Sequence, residues 1–345
     1  MSPVRSLRSA NWLISKIAHF DERIGDLEEL YRAQRAWLFI SGAAILMALL
    51  RLVSLLDVWD RPGDVREDYV LWALTLASLT VSLLMLAGMW LIEPLFRQIE
   101  EAQKILQAEN TQLASAVEAT AAEMQLARSI QQGLLPQEPP QLPELDIAGA
   151  SRPAEWTSGD YYDYFSLANG DRAVLIADVS GHGTGPALLM STTRASMRAF
   201  ASSARDPGDL MSSVNTALCR DITDSRFVTA FLVAFQRDAT QAGWVGAGQT
   251  AWICKTSGAA LELNPKHPPL GVVSNRTLSA EPLPPLESGD VLLLITDGIL
   301  ETADAQGRML GVEPVLECIR RHQDCTAEEI VRAIFSLARE CTAGS

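Results

Sequence analysis

Residues 69–92 run without a single charged side chain, and this stretch limits the possible fold more than any other part of the sequence. Wound as an α-helix at about 1.5 Å per residue it reaches about 36 Å, enough to cross a hydrocarbon layer of roughly 30 Å with some tilt. Trp72 and Trp90 stand near its ends, where amphipathic rings favour the membrane–water interface. Residues 36–56 form a second candidate span, broken only by Arg51, which lies close enough to the end for its charged head to snorkel outward. A long charged stretch precedes both, so no signal-peptide pattern is present.

Orientation follows from the basic residues. The N-terminal arm, residues 1–35, carries Arg5, Arg8, Lys16, Arg23, Arg32 and Arg35, whereas the loop between the spans holds only Arg61 and Arg66 among five acids. The positive-inside rule then places both termini in the cytoplasm and predicts a multi-pass protein of the inner membrane. With 42 acidic against 28 basic residues in 345, the net charge is −14, which excludes the positive face that a nucleic-acid partner requires. An apolar fraction of 48% excludes a disordered chain. Five cysteines without a CxxC pair suit a reducing compartment and point to no zinc site.

Beyond the second span, residues 93–136 read as a linker. Within it a heptad seam places Ile99, Leu106, Leu113, Thr120, Ala127 and Leu134 at d, and Phe96, Gln103, Asn110, Val117, Met124 and Gln131 at a. A parallel homodimeric coil with Asn110 fixing the register fits this pattern, as does a helix lying on its own domain. Gly133, Pro136, Pro139, Pro140 and Pro143 then end the helix and mark a boundary, leaving residues 137–345 as a cytoplasmic domain.

That domain reads as short strands over 145–151, 162–167, 172–179, 227–236, 243–254 and 290–296, with helices over 185–204, 207–222 and 327–340. The expected class is α+β, with helices packed outside sheets. Three aspartates stand at strand boundaries: Asp160 after Ser158-Gly159, Asp178 before Val179, and Asp297 before Gly298. Each alone could cap a turn. Converging, they would repel one another unless hard cations such as Mg²⁺ or Mn²⁺ intervened.

Four motifs occur in order: Ala127-Arg-Ser-Ile-Gln131-Gln-Gly-Leu-Leu-Pro136, Ser158-Gly-Asp-Tyr-Tyr-Asp163, Ala177-Asp-Val-Ser-Gly-His-Gly183 and Thr296-Asp-Gly-Ile-Leu-Glu301. Together they resemble the bacterial SpoIIE/RsbU-type serine phosphatases of the PP2C-like metal-dependent superfamily, over residues 127–339. The resemblance implies an α/β/β/α sandwich with two Mn²⁺ or Mg²⁺ ions between the sheets. Asp178 would bridge both ions, Asp160 and Asp297 would take one side each, and Val179 would offer its carbonyl. A water activated by the two metals would attack a phosphoserine or phosphothreonine without any protein nucleophile. His182 is considered as proton donor to the leaving alkoxide, with a turn-structuring role as the alternative. Arg152 is considered as a phosphate ligand, with a solvated charge at a strand end as the alternative.

Two positions depart from the family pattern. Val245-Gly-Ala-Gly-Gln249 replaces an Asn-Ala-Gly-His-like turn, and the sequence stops at Ser345 without the Asp-Asp-x-Thr strand that would bring another metal ligand. The expectation is therefore a membrane-anchored phosphatase acting on a phosphorylated anti-sigma-factor antagonist or similar protein. The alternative is a catalytically impaired, membrane-tethered binding module. A histidine kinase would share the two-span layout, but no histidine lies in the linker.

Overall fold

The computed structural model describes residues 35, 38–43, 45–47, 49–50, 52–53, 56, 65–142, 144–153, 156–223, 225–237 and 241–343. They fall into two compact units, Met1–Ala119 and Thr120–Ser345. The N-terminal arm before residue 35, Arg51 and loop residues 57–64 lie outside the described residues, and with them most of the charge argument for orientation.

In the first unit the second expected span and the linker are one helix, α1 (Val65–Leu134), which runs through Pro94. Among the described residues one helix is long and apolar enough to cross a membrane, and the first expected span is represented by a shorter apolar helix, Leu38–Met47. Leu49 and Leu52 line the same apolar groove as Leu79, Leu83 and Leu86, so the two segments lie side by side. Along the apolar stretch of α1, Leu76, Leu84, Trp90 and Leu91 are all exposed among the described residues.

The second unit is a four-layer sandwich, as the α+β expectation required. A five-stranded antiparallel sheet has the order β1 (Tyr161–Ser166), β2 (Arg172–Val179), β3 (Val228–Phe235), β4 (Ala242–Ala247), β7 (Glu281–Pro282). A three-stranded antiparallel sheet has the order β6 (Ala260–Leu263), β5 (Ala251–Cys254), β8 (Val291–Leu294). Helices α2 (Thr184–Ala201) and α3 (Pro207–Asp221) cover the larger sheet, where Met190, Met197, Leu210 and Val214 share a core with Leu175 and Leu232. Helices α5 (Val312–Arg321) and α6 (Ala327–Ala343) cover the smaller one through Val315, Ile319, Ile330 and Ile334. Between the sheets Phe231 stacks on Trp244 with ring centroids 5.1 Å apart, beside Val233 and Ile253. Each fully buried side chain of this size stabilises the fold by about 1.5–3 kcal/mol.

The period-2 alternation of β2 decides where the chemistry emerges. Ala173, Leu175, Ala177 and Val179 join the helix-side core, while Val174 and Ile176 pack between the sheets. Asp178 follows Ile176 on the inter-sheet face. The short helix α4 (Asp297–Leu300) begins just after β8, so Asp297 also stands at a strand exit.

Three differences from the sequence expectations have physical causes. The expected strand 243–254 is two strands, because the chain leaves one sheet for the other between Ala247 and Ala251, where the Gly248 N–H bonds His267 O at 2.9 Å. Residues 145–151 are extended but join no named strand. Leu145 makes one isolated bridge to Leu142, while Asp146 accepts the Ala327 N–H at 2.6 Å and so caps α6. Helix α5 was not foreseen, since its ten residues follow Gly311 and carry Pro314 in the first turn.

Candidate active site

Asp160, Asp178 and Asp297 leave three different elements and meet at one end of the inter-sheet layer. The loop before β1 touches the end of β2, with the Val179 N–H donating to Gly159 O at 3.3 Å. A methyl group on Gly159 would stand 2.5 Å from the Val179 carbonyl oxygen and 3.0 Å from Asp178 Oδ1, so only glycine permits this approach. On the other side, a methyl on Gly298 would lie 4.0 Å from Asp160 Oδ2, and the Thr296 side chain bonds Asp160. Ser158 Oγ donates to Asp160 Oδ2 at 2.9 Å and accepts the Asp160 N–H at 3.1 Å, which fixes that carboxylate.

The electrostatics report the same convergence. Burial, then the charges of Asp160 and Asp297, push the Asp178 carboxyl up to about 7. Burial also raises Asp160, against the lowering effect of its bonds from Thr296 and Ser158. Glu301, one turn beyond Asp297, adds to the negative field at Asp178. Among the described residues no three His, Cys, Asp or Glu side chains are already gathered at chelating distance. The aspartates instead form an open set of hard oxygen donors beside a backbone carbonyl. This suits a divalent ion that keeps several waters and is bound through one or two carboxylates, as Mg²⁺ commonly is. Such a cation would also relieve the mutual repulsion, so the residues present fit the ion.

The other expected site residues have settings of their own. His182 is exposed in the turn that leads into α2, next to Gly183, whose φ of 88° caps the helix without any side-chain bond. The Arg152 guanidinium is exposed and lies over the Phe335 ring of α6, 4.8 Å from its centroid. Asp163, close in sequence to Asp160, faces the opposite way: it is fully buried and takes two bonds of 2.7 Å from Arg198 of α2.

Sequence reasoning missed the supporting residues. Gln131, assigned to an a position of the coil, is buried against its own domain. Its Nε2 donates to Ser158 O at 2.7 Å and its Oε1 accepts the Ser158 N–H at 3.0 Å. An amide at the end of the seam was the available signal, but Gln103 and Asn110 occupy equivalent positions and did not distinguish it. Gln249 stood out only as the last residue of the turn that departs from the family pattern, and Thr229 of β3 gave no signal, because their contacts depend on which strands become neighbours.

With this geometry established, similarity to known proteins becomes informative. Residues 168–345 match the family model described as stage II sporulation protein E, SpoIIE. The chain belongs to the SpoIIE family. Within and around this match it is 28% identical over 215 residues to the phosphoserine phosphatase RsbU of Bacillus subtilis (strain 168), covering 62% of this chain and 63% of RsbU. It is 26% identical over 187 residues to the phosphoserine phosphatase RsbP of the same organism, covering 53% and 46% of the two chains. The chain thus spans less than two thirds of the length of these SpoIIE-family relatives. Among solved structures, the SiaA PP2C domain of Pseudomonas aeruginosa superposes with a TM-score of 0.57 at 23% identity, covering 66% of this chain and 92% of that one. That likeness establishes a PP2C-like fold for this SpoIIE-family chain.

Proposed function

We propose that this chain is a membrane-anchored protein serine/threonine phosphatase dependent on two divalent cations, Mn²⁺ or Mg²⁺. Its substrate class is a phosphoserine or phosphothreonine on a small signalling protein of the anti-sigma-factor-antagonist type. The observation that carries this reading is the meeting of Asp160, Asp178 and Asp297, from three separate elements, where the charges of Asp160 and Asp297 raise the proton affinity of Asp178. Similarity to two proteins named phosphoserine phosphatases supports the reaction class.

In this reading Asp160, Asp178 and Asp297, with the Val179 carbonyl, would hold the cations. When bound, the cations supply a water acidic enough to act at neutral pH and offset charge on the phosphoryl oxygens. The protein's own part is orientation: Ser158 and Thr296 hold the Asp160 carboxylate, and Gln131 holds Ser158 in turn. Exposed leucines around the membrane-proximal part of α1 support a lipid setting, since a bare apolar surface of that extent is costly in water. The exposed seam residues Leu106, Leu113 and Val117 support homodimerisation through the linker.

The test uses the full chain in detergent micelles with a phosphoserine protein. Phosphate release that requires Mn²⁺, and falls more than roughly 100-fold in Asp178→Asn, is the expected result. Capture of the phosphoprotein without any release at saturating Mn²⁺ would instead make the domain a tethered binding module.

A further inference from the structure

The side chain of Gln249 joins the two sheets at the end where the aspartates lie. Its Nε2 donates to the Ile295 carbonyl at 2.6 Å, two residues before Asp297 on the smaller sheet's side. Its Oε1 accepts the Thr229 hydroxyl at 3.1 Å. Thr229 stands directly opposite Asp178 in the β2–β3 register, and its hydroxyl also lies 3.5 Å from the Asp178 carbonyl oxygen. One neutral amide therefore ties β3, at the residue paired with Asp178, to the residue that follows β8, two before Asp297. Gln249 itself sits in the turn where the chain passes from the five-stranded to the three-stranded sheet.

We propose that Gln249 is a positioning residue that sets the separation of Asp178 and Asp297 across the sandwich and so tunes cation affinity. The proposal rests on the cation site described above. Carboxylates from facing sheets repel one another, and the field at Asp178 includes Asp297. That repulsion acts to spread the open end of the sandwich, while a donor–acceptor tie between the sheets holds it closed. The tie needs a donor for Ile295 O and an acceptor for Thr229, which a primary amide carries on one rigid plane. Leucine would remove both and leave the Ile295 carbonyl without this partner. Glutamate would keep the acceptor but set negative oxygen against that carbonyl. Histidine offers one donor and one acceptor at a similar spacing.

The experiment measures Mn²⁺ affinity of the full chain in micelles by the electron paramagnetic resonance signal of free Mn²⁺, alongside melting of the metal-free variants. Gln249→Leu and Gln249→Glu are expected to weaken Mn²⁺ binding by roughly 10- to 100-fold, and Gln249→His to restore most of it. Thr229→Val should weaken binding too, with the Thr229→Val/Gln249→Leu double variant no weaker than Gln249→Leu alone, since both cut the same tie. Wild-type Mn²⁺ affinity in Gln249→Leu, or lowered melting with unchanged affinity across the series, would overturn the proposal and leave the cation site standing. If the wild-type chain itself binds no Mn²⁺ at millimolar concentration, the cation site falls and the proposal falls with it.

Discussion

At Asp178 the proposed function sets stability and chemistry against each other. Burial and two neighbouring aspartates push its carboxyl up from 3.8 to about 7 in the folded protein. Between those values the folded chain keeps a proton that the unfolded chain has released, so this group's contribution to stability falls as pH rises through that window. Metal-free protein should therefore melt at lower temperature at pH 7.5 than at pH 5.5. Asp178→Asn should flatten that dependence and raise the melting point at pH 7.5 while removing activity, as differential scanning calorimetry beside a phosphatase assay will record. Gly159 makes a second residue-level prediction. A methyl group there meets backbone oxygen at 2.5 Å, so Gly159→Ala must move the Ser158–Asp160 loop. Calorimetry should show Mn²⁺ affinity falling by at least about tenfold. The three aspartates were legible in the sequence because each stands at a strand boundary, Asp160 and Asp297 beside a glycine and Asp178 before a Val-Ser-Gly turn. Glu301 and Gln249 were not, since what they act on is brought near only by the pairing of distant strands.

The end of α1 is the element on which the site leans. From Met124 to Gln131 the seam turns toward the helix's own domain, and two bonds from Gln131 hold the Ser158 backbone next to Asp160. Gln131→Ala leaves the Ser158 carbonyl and amide without that partner, a loss of about 1–3 kcal/mol in a part-buried setting. The expected outcome is a drop in kcat of roughly tenfold or more with folding intact, read from steady-state kinetics and circular dichroism. Heptad spacing identified the helix but not this change of partner, because an a/d stripe looks the same whether a second copy or the same chain covers it. Among the strands, β2 was legible to its ends because its alternation is strict. The break between β4 and β5 was not, because one apolar run serves both sheets.

At the scale of the molecule, the exposure of the linker seam changes along its length. Ile99, Leu106, Leu113 and Val117 are 39%, 45%, 63% and 61% exposed, while Met124 and Ala127 are half-buried and Gln131 is buried. The stretch before residue 120 is therefore the part available to a second copy. Leu113→Glu with Val117→Glu should convert a dimer to a monomer in analytical ultracentrifugation of the detergent-solubilised chain, with melting of the phosphatase-like domain unchanged. The uncharged run at 69–92 was legible from length alone as a helix apolar enough to cross a membrane, whereas its continuity with the linker required the helix to persist through Pro94. All of this organisation serves one claim, that the strand-end aspartates form a divalent-cation site. Isothermal titration of Mn²⁺ into the full-length chain at pH 7.5 tests it most directly. Saturable binding that is lost in Asp178→Asn and weakened in Asp160→Asn and Asp297→Asn is predicted, and binding that persists unchanged in all three variants would contradict it.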